Sequence, residues 1–392
     1  MAGLYLHVPF CRQACHYCDF HFSTNVQNME PMVQAILEEA RIRSDSVAGW
    51  GQKTFQTLYL GGGTPSLLEG DQLKTLVNGV LAALNVEASS LQEVTLEANP
   101  EDIAPEKVEA WLEAGITRLS IGVQSFHEDT LLWMNRAHDG EQAKKGIRLA
   151  HELGIRHLTI DLIYGVPTER IWEDDLTQAL DLPIDHLSAY SLTVEPNTVL
   201  GTRISKGDAT MPGDERAVLE YQVLCERMRA LSWDHYETSN WAAPLPTGGH
   251  QYALHNSAYW TGVPYLGLGP GAHGHHDQTR YANVSNNPRY IKALGKGLLL
   301  QEEEILTPRD RYNESLMTGL RTARGIHPES LQKDWGKSPA EVDGVAWNKA
   351  LEQGALTEDK KGRYRIPEPL WITGDQVSAS LFWLDENATS CP

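Results

Sequence analysis

Cys11, Cys15 and Cys18 form a CxxxCxxC triplet directly after a short apolar run, Leu4 to Val8. Three thiolates at that spacing can hold one metal centre. An iron–sulfur cube needs a ligand on each of its four irons, so three cysteines leave one iron open to something that is not protein. The same stretch admits a second chemistry: Cys15 and Cys18, with Cys11 and His21, make a Cys3His set for structural zinc. A zinc knuckle brings its second ligand pair within a few tens of residues, whereas the remaining cysteines, Cys225 and Cys391, stand far along the chain. The spacing favours iron and sulfur.

Further groups with chemical potential follow at intervals. Gly61-Gly62-Gly63-Thr64-Pro65 lets backbone amides approach a ligand that any Cβ would exclude, although a tight turn needs the same residues. It matches neither the GxGxxG fingerprint nor a Walker loop. Glu97 closes a candidate strand, Gln124 and Ser125 close the next, and Asp161 lies within a third. A lone carboxylate at a strand end often caps the following helix; its recurrence at the same end of successive strands asks for another reason. A ligand carrying an ammonium, ribose hydroxyls and a carboxylate needs such partners, and Arg136 supplies the cation for the carboxylate. The run Gly267 to Gly274 imitates a dinucleotide loop, but Pro270 and its His-rich continuation do not open a helix.

These residues need elements to hold them. Apolar runs predict strands over Leu4–Val8, Thr57–Leu60, Glu93–Glu97, Arg118–Val123, His157–Ile163 and His186–Thr193. Helical periodicity lies between and after them, at Met32–Arg43, Gln72–Leu84, Pro105–Glu113, Glu141–Leu153, Trp172–Leu180 and Asp214–Ala230. Six strand-then-helix units predict an α/β fold with a parallel sheet and right-handed crossovers. A partial (β/α)6 TIM-like barrel is expected, because the chemical residues follow the strands at the end where such barrels place active sites. The barrel should occupy residues 1–240. A linker with a Gly-rich segment is expected over 241–300, and a smaller, mainly helical domain over 301–392. In that domain helices are expected at Arg309–Arg321, Pro328–Trp335 and Ala346–Gln353, with a hairpin-like wing at Gly362–Pro367.

The chain has 392 residues, enough for a large core, and 33 basic against 52 acidic residues, a formal charge of −19. Phosphate backbones are repelled by such a balance on average, so nucleic acid is not an expected partner. Five cysteines in so long a chain argue against a disulfide scaffold, and clustered thiols fit a reducing, cytoplasmic compartment. No stretch reads as a signal peptide or approaches the ~18 apolar residues of a membrane span, so no membrane anchor is expected.

The CxxxCxxC loop resembles the signature of the radical S-adenosylmethionine superfamily. The resemblance implies a 4Fe-4S cluster with S-adenosylmethionine on the open iron. The triple-glycine loop looks like that family's loop for the cofactor's amino group, ending here in Gly-Thr-Pro. The whole chain resembles the branch containing oxygen-independent coproporphyrinogen oxidase and the HemW-type haem chaperones. The stretches Tyr5 to Cys11, Gly61 to Ser66, Gly122 to Phe126 and Tyr236 to Ser239 carry that likeness. The oxidases have a further cysteine where Phe20 stands here, and a long N-terminal arm where this chain begins its first strand at Leu4. Both differences speak against coproporphyrinogen oxidation.

His255-Asn256-Ser257-Ala258-Tyr259-Trp260 matches the HNxxYW motif of the chaperones. The resemblance implies haem binding, with His255 as candidate axial ligand and the aromatic pair packed on the macrocycle. His250, His273, His275 and His276 compete for the iron; in the plainer alternative, His255 and Asn256 cap a turn and the aromatics fill a core. Carried over by position, Cys11, Cys15 and Cys18 hold the cluster. Tyr5, Gly62, Gly63, Thr64 and Glu97 line an S-adenosylmethionine site, while Tyr17, Gln124, Arg136 and Asp161 contact its far side or a second molecule. The expected function is a haem chaperone that hands haem to haem-requiring proteins, including membrane-associated respiratory enzymes. The rival is a radical oxidoreductase acting on a porphyrin-like substrate.

Overall fold

The computed structural model describes residues 2–45 and 49–384; Cys391 lies outside them. Strands β1 (Ala2–Val8), β2 (Phe55–Gly62), β3 (Glu93–Ala98), β4 (Arg118–Gln124), β5 (His157–Tyr164) and β6 (His186–Ser191) pair in parallel in chain order. Strands covered on both faces read as near-continuous apolar runs; Leu4, Leu6, Leu119, Ile121 and Leu158 are fully buried. Helices α1 (Met29–Ser44), α2 (Gly70–Ala83), α3 (Pro105–Glu113), α4 (Glu128–Trp133), α5 (Gly140–Glu152) and α6 (Trp172–Leu180) make the crossovers, and α7 (Val199–Ser205) and α8 (Asp214–Ala230) follow β6. Helix α5 shows the logic. Asp139 and Gln142 close a capping box at its start, and Ala143, Gly146, Ile147 and Ala150 recur at helical spacing on its buried face.

The sheet does not close: twelve strands form one open, partial barrel. At one edge β7 (Asp234–Glu237) pairs antiparallel with β8 (Asn240–Ala242), which itself pairs antiparallel with β6. At the other, β9 (Tyr265–Leu268) lies parallel to β1, and β10 (His273–His276), β11 (Thr279–Asn283) and β12 (Gln301–Ile305) continue antiparallel. The stretch 241–300, expected as a linker, therefore crosses from one sheet edge to the other through α9 (Leu254–Tyr259) and adds strands beyond β1, with α10 (Asn287–Leu294) against α1.

Helices α11 (Pro308–Leu320), α12 (Pro328–Trp335), α13 (Pro339–Glu352) and α14 (Gly374–Ala379) form the C-terminal part, with a small hairpin of β13 (Thr357–Glu358) and β14 (Tyr364–Arg365). Helix α13 begins before the expected Ala346 because Ser338 and Glu341 form a capping box, and it is interrupted at Asp343. This part docks on the β7 edge: the Thr238 amide donates to the Arg321 carbonyl at 3.0 Å, and the Ala323 amide to that of Tyr236 at 3.0 Å. Among the described residues no helix is long and apolar enough to cross a membrane.

Candidate functional site

The cysteine loop is tied down at both ends. Its base is closed by Cys11 N–H donating to the Ser23 carbonyl at 3.1 Å and Ser23 N–H to that of Pro9 at 2.9 Å. Farther out, the Gln13 amide donates to the Asn135 carbonyl at 3.0 Å and Asn135 donates back to the Ala14 carbonyl at 2.7 Å. The His16 amide reaches the Met134 carbonyl at 3.1 Å. Asn135 holds φ 60°, a left-handed conformation that asparagine tolerates better than most residues. The loop over which three thiols must converge is thus braced by the chain after α4.

The C-terminal ends of the barrel strands surround a cavity of about 410 Å3 bordered by Cys11, Cys15 and Cys18. Thr64 lies 3.5 Å from the Cys11 sulfur through its hydroxyl, and Arg136 Nη1 lies 3.3 Å from that of Cys15. Burial pushes the Cys11 thiol up to about 11 and that of Cys18 up to about 12, so a metal centre must displace their protons on binding. Across the cavity stand Glu97 and Asp161. Burial raises Glu97 to about 7, against the Tyr59 hydroxyl that donates to it at 2.8 Å and the Gly62 amide at 3.0 Å. Burial likewise raises Asp161 to about 6, opposed by the hydroxyls of Ser188 and Ser120. Arg136 donates through Nη2 to Asn99 Oδ1 at 2.8 Å and to the Gly122 carbonyl at 2.6 Å, while its buried Nε has no hydrogen-bond partner among the described residues.

Gln124 sits where β4 slips register against β5, with φ 71°. A non-glycine residue there carries strain that collects at functional sites. Gly62, also on this wall, has φ 107°, and a Cβ on it would fall 2.5 Å from the His7 ring. Its glycine identity therefore answers to packing against β1 as well as to any ligand.

Of the thirteen expected site residues, eleven border this cavity; Tyr5 and His255 do not. Tyr5 faces a neighbouring cavity of about 670 Å3 instead. His255, expected to present a nitrogen to haem iron, is 2% exposed. Its Nδ1 lies 2.8 Å from the Thr57 hydroxyl and its Nε2 2.9 Å from the Tyr259 hydroxyl, and its ring stacks on Tyr59 at 5.0 Å. Burial pushes it down to about 3, so the ring is neutral, but both of its nitrogens are engaged. The physical reason is the position of α9, which packs against β2 and buries His255 against Thr57 and Tyr59. From the same helix Asn256 borders the cysteine cavity and Tyr259 borders the second one.

Asn256, Asn99, Tyr59, Ser120, Ser188 and Tyr190 also border or hold the first cavity and were not expected as site residues. Position carried the signal for Asn99 and Tyr190, at or just beyond the ends of β3 and β6, whereas Tyr59, Ser120 and Ser188 reach the cavity from within β2, β4 and β6. Ser125, noted beside Gln124, turns away: it is buried and donates to Asp175 at 3.0 Å.

The residues fit the groups implied for them. The three cysteine sulfurs do not all lie within 4.8 Å of one another, as one shared ion would require, and His21 does not join them; among the described residues only Cys225, His235 and Glu368 meet that limit. Spread thiols suit a cluster that takes one thiolate per iron. Two buried carboxyls that ionise near neutral pH, opposite a guanidinium, suit a ligand with an ammonium and a carboxylate at one end.

The sequence matches the family model of the radical SAM superfamily over residues 5–180 and that of the HemN C-terminal domain over residues 306–367. It is 38% identical to the heme chaperone HemW of Escherichia coli (strain K12) over 362 residues, covering 91% of this chain and 92% of that protein. It is 33% identical to the heme chaperone HemW of Bacillus subtilis (strain 168), covering 88% of this chain and 89% of the other. The fold is similar to that of coproporphyrinogen III oxidase (HemN) from Escherichia coli, described as a radical SAM enzyme, with TM-score 0.80 over 97% of this chain and 90% of that one at 20% identity.

Proposed function

The chain belongs to the heme chaperone HemW family, within the radical SAM superfamily, and from that premise we propose how it works as a haem chaperone. Cys11, Cys15 and Cys18 hold a 4Fe-4S cluster. Gly62, Gly63, Thr64 and Glu97 receive the amino-acid end of S-adenosylmethionine; Tyr17, Gln124, Arg136 and Asp161 complete the wall around it. When bound, cluster and cofactor together supply one-electron chemistry. The chain's own residues do the positioning. Arg136 sits between the Cys15 sulfur and the carbonyl of Gly122, borders the cavity and offers its charge to a carboxylate. Glu97, steered by the Tyr59 hydroxyl, takes an ammonium.

The protein binds haem beside this centre and hands it to haem-requiring proteins, respiratory enzymes among them, in the cytoplasm, where reducing conditions keep the thiols available. The observation that carries the reading is the exposed Phe20, which borders both the cysteine cavity and the adjoining aromatic one. It stands where the oxidases have a further cysteine, so the wall between cluster and second cavity is a ring rather than a thiol. The likeness to the oxidase is one of fold.

The test is an anaerobic haem titration of protein reconstituted with iron and sulfide, with parallel assays for 5'-deoxyadenosine and for coproporphyrinogen consumption. Stoichiometric haem binding with no loss of coproporphyrinogen is expected. Failure to bind haem, together with coproporphyrinogen-dependent release of 5'-deoxyadenosine, would establish the oxidoreductase instead.

A further inference from the structure

The second cavity lies on the outer flank of the cysteine loop, where β1, β9 and β10 are neighbours in the sheet. Its volume, about 670 Å3, falls within the range of cofactor sites. Tyr5 of β1 and Tyr265 of β9 contribute rings from the sheet side, joined by Tyr259 of α9, which meets Tyr265 edge to face at 4.7 Å. Phe20 and Phe22 contribute rings from the loop side. Phe20 is 69% exposed, a large apolar surface that none of the described residues covers. Flat aromatic walls with an uncovered apolar mouth suit a flat, largely apolar ligand.

Three histidines border the cavity. His7 has no nitrogen to spare, because its Nδ1 meets the Tyr5 hydroxyl at 3.2 Å and its Nε2 the His21 carbonyl at 2.8 Å. His21 commits Nε2, the nitrogen that reaches farthest from its backbone, to Asn287 Oδ1 at 2.7 Å. His273, at the start of β10, is exposed, and its ring makes no hydrogen bond among the described residues. Partial burial and the neighbouring Arg280 lower its pKa, which favours the neutral imidazole that binds metals.

We infer that haem sits in this second cavity with His273, not His255, as its axial ligand. This deepens the haem-chaperone reading and rests on it. His255 then acts through Tyr259, holding by its Nε2 the hydroxyl of a ring that forms the wall. The motif residue is a positioning residue, and the ligand comes from a strand the motif does not contain. Because Asp19 and Phe20 border both cavities, the haem would lie against the wall of the cluster chamber, where a change at the cluster can reach it.

Anaerobic haem titrations of the cluster-loaded full chain, followed in the Soret and visible bands, test this with His273→Ala and His255→Ala side by side. For His273→Ala we expect loss of the histidine-ligated spectrum and about a tenfold or greater fall in affinity, with cluster absorption unchanged and the spectrum restored by added imidazole. For His255→Ala we expect weaker binding with the ligated spectrum retained. A His273→Ala protein that titrates like the parent, or loss of the ligated spectrum only in His255→Ala, overturns the assignment while leaving the chaperone reading intact. If the unsubstituted protein itself binds no haem, the chaperone reading falls first.

Discussion

Glu97 shows how one residue's surroundings prepare it for a ligand the chain does not supply. Its carboxyl is buried, receives the Tyr59 hydroxyl and the Gly62 amide, and shares its cavity with the carboxyl of Asp161. Burial dominates, and the pKa rises to about 7. At pH 6 the group is mostly a neutral acid, and at pH 8 mostly a carboxylate. An ammonium binds the carboxylate, so affinity for S-adenosylmethionine should climb about tenfold between those values, in step with the ionised fraction. Glu97→Gln should bind more weakly and lose most of that slope. Calorimetric titration of the reconstituted protein across this range checks it; a flat profile in the unsubstituted protein would remove Glu97 from the ammonium's partners.

At the scale of elements, the first two strands set the position of the cluster loop. The Gly63 amide donates to the Val8 carbonyl at 3.0 Å and the Thr64 amide to that of Phe10 at 2.6 Å, so the β2 turn clasps the chain just before Cys11. A Cβ on Gly63 would fall 2.6 Å from the Phe10 carbonyl oxygen and 2.7 Å from its nitrogen, backbone atoms that cannot swing aside. Gly63→Ala should therefore destabilise by roughly 1–3 kcal/mol and lower the iron bound per chain, measurable by thermal unfolding and metal analysis. Stability and iron content equal to the parent's would show that the clasp yields. The six parallel strands were legible because buried strands write themselves as apolar runs, and the cysteine, glycine and carboxylate positions followed from their ends. The flanks were not. Strands β8, β9 and β10 are three or four residues long, and β9 and β10 are interrupted by glycine, so no period announces them. Without β9 beside β1, nothing in the sequence turns Tyr5 toward a second cavity. Without the depth of α9, His255 looks free to bind a metal.

The whole molecule is an acidic barrel whose β7 edge is covered by its C-terminal helices, and that seam holds a buried acid. Glu237, 2% exposed, accepts from the Asn240 side chain and bridges to Thr322 of the C-terminal part. Burial raises its pKa to about 7, against the opposing pull of Asn240, the Ser239 amide and Arg321. Below the ordinary carboxyl range it is protonated folded or unfolded, and its folded environment costs nothing. As pH rises from about 4.5 to about 7, the unfolded chain sheds this proton while the folded chain keeps it, so stability falls through that window and is level above it. The full loss is on the order of 3 kcal/mol. Glu97 and Asp161 slope the same way, which makes the comparison with a variant the informative one. Glu237→Gln keeps an acceptor for Asn240 and has no proton to shed. Denaturant unfolding of metal-free protein at ~pH 5 and ~pH 8 should show a smaller decline for Glu237→Gln than for the parent, chiefly because the variant gains at the higher pH. Identical declines would mean that the seam opens before the barrel does, and that Glu237 ionises in water rather than in the fold.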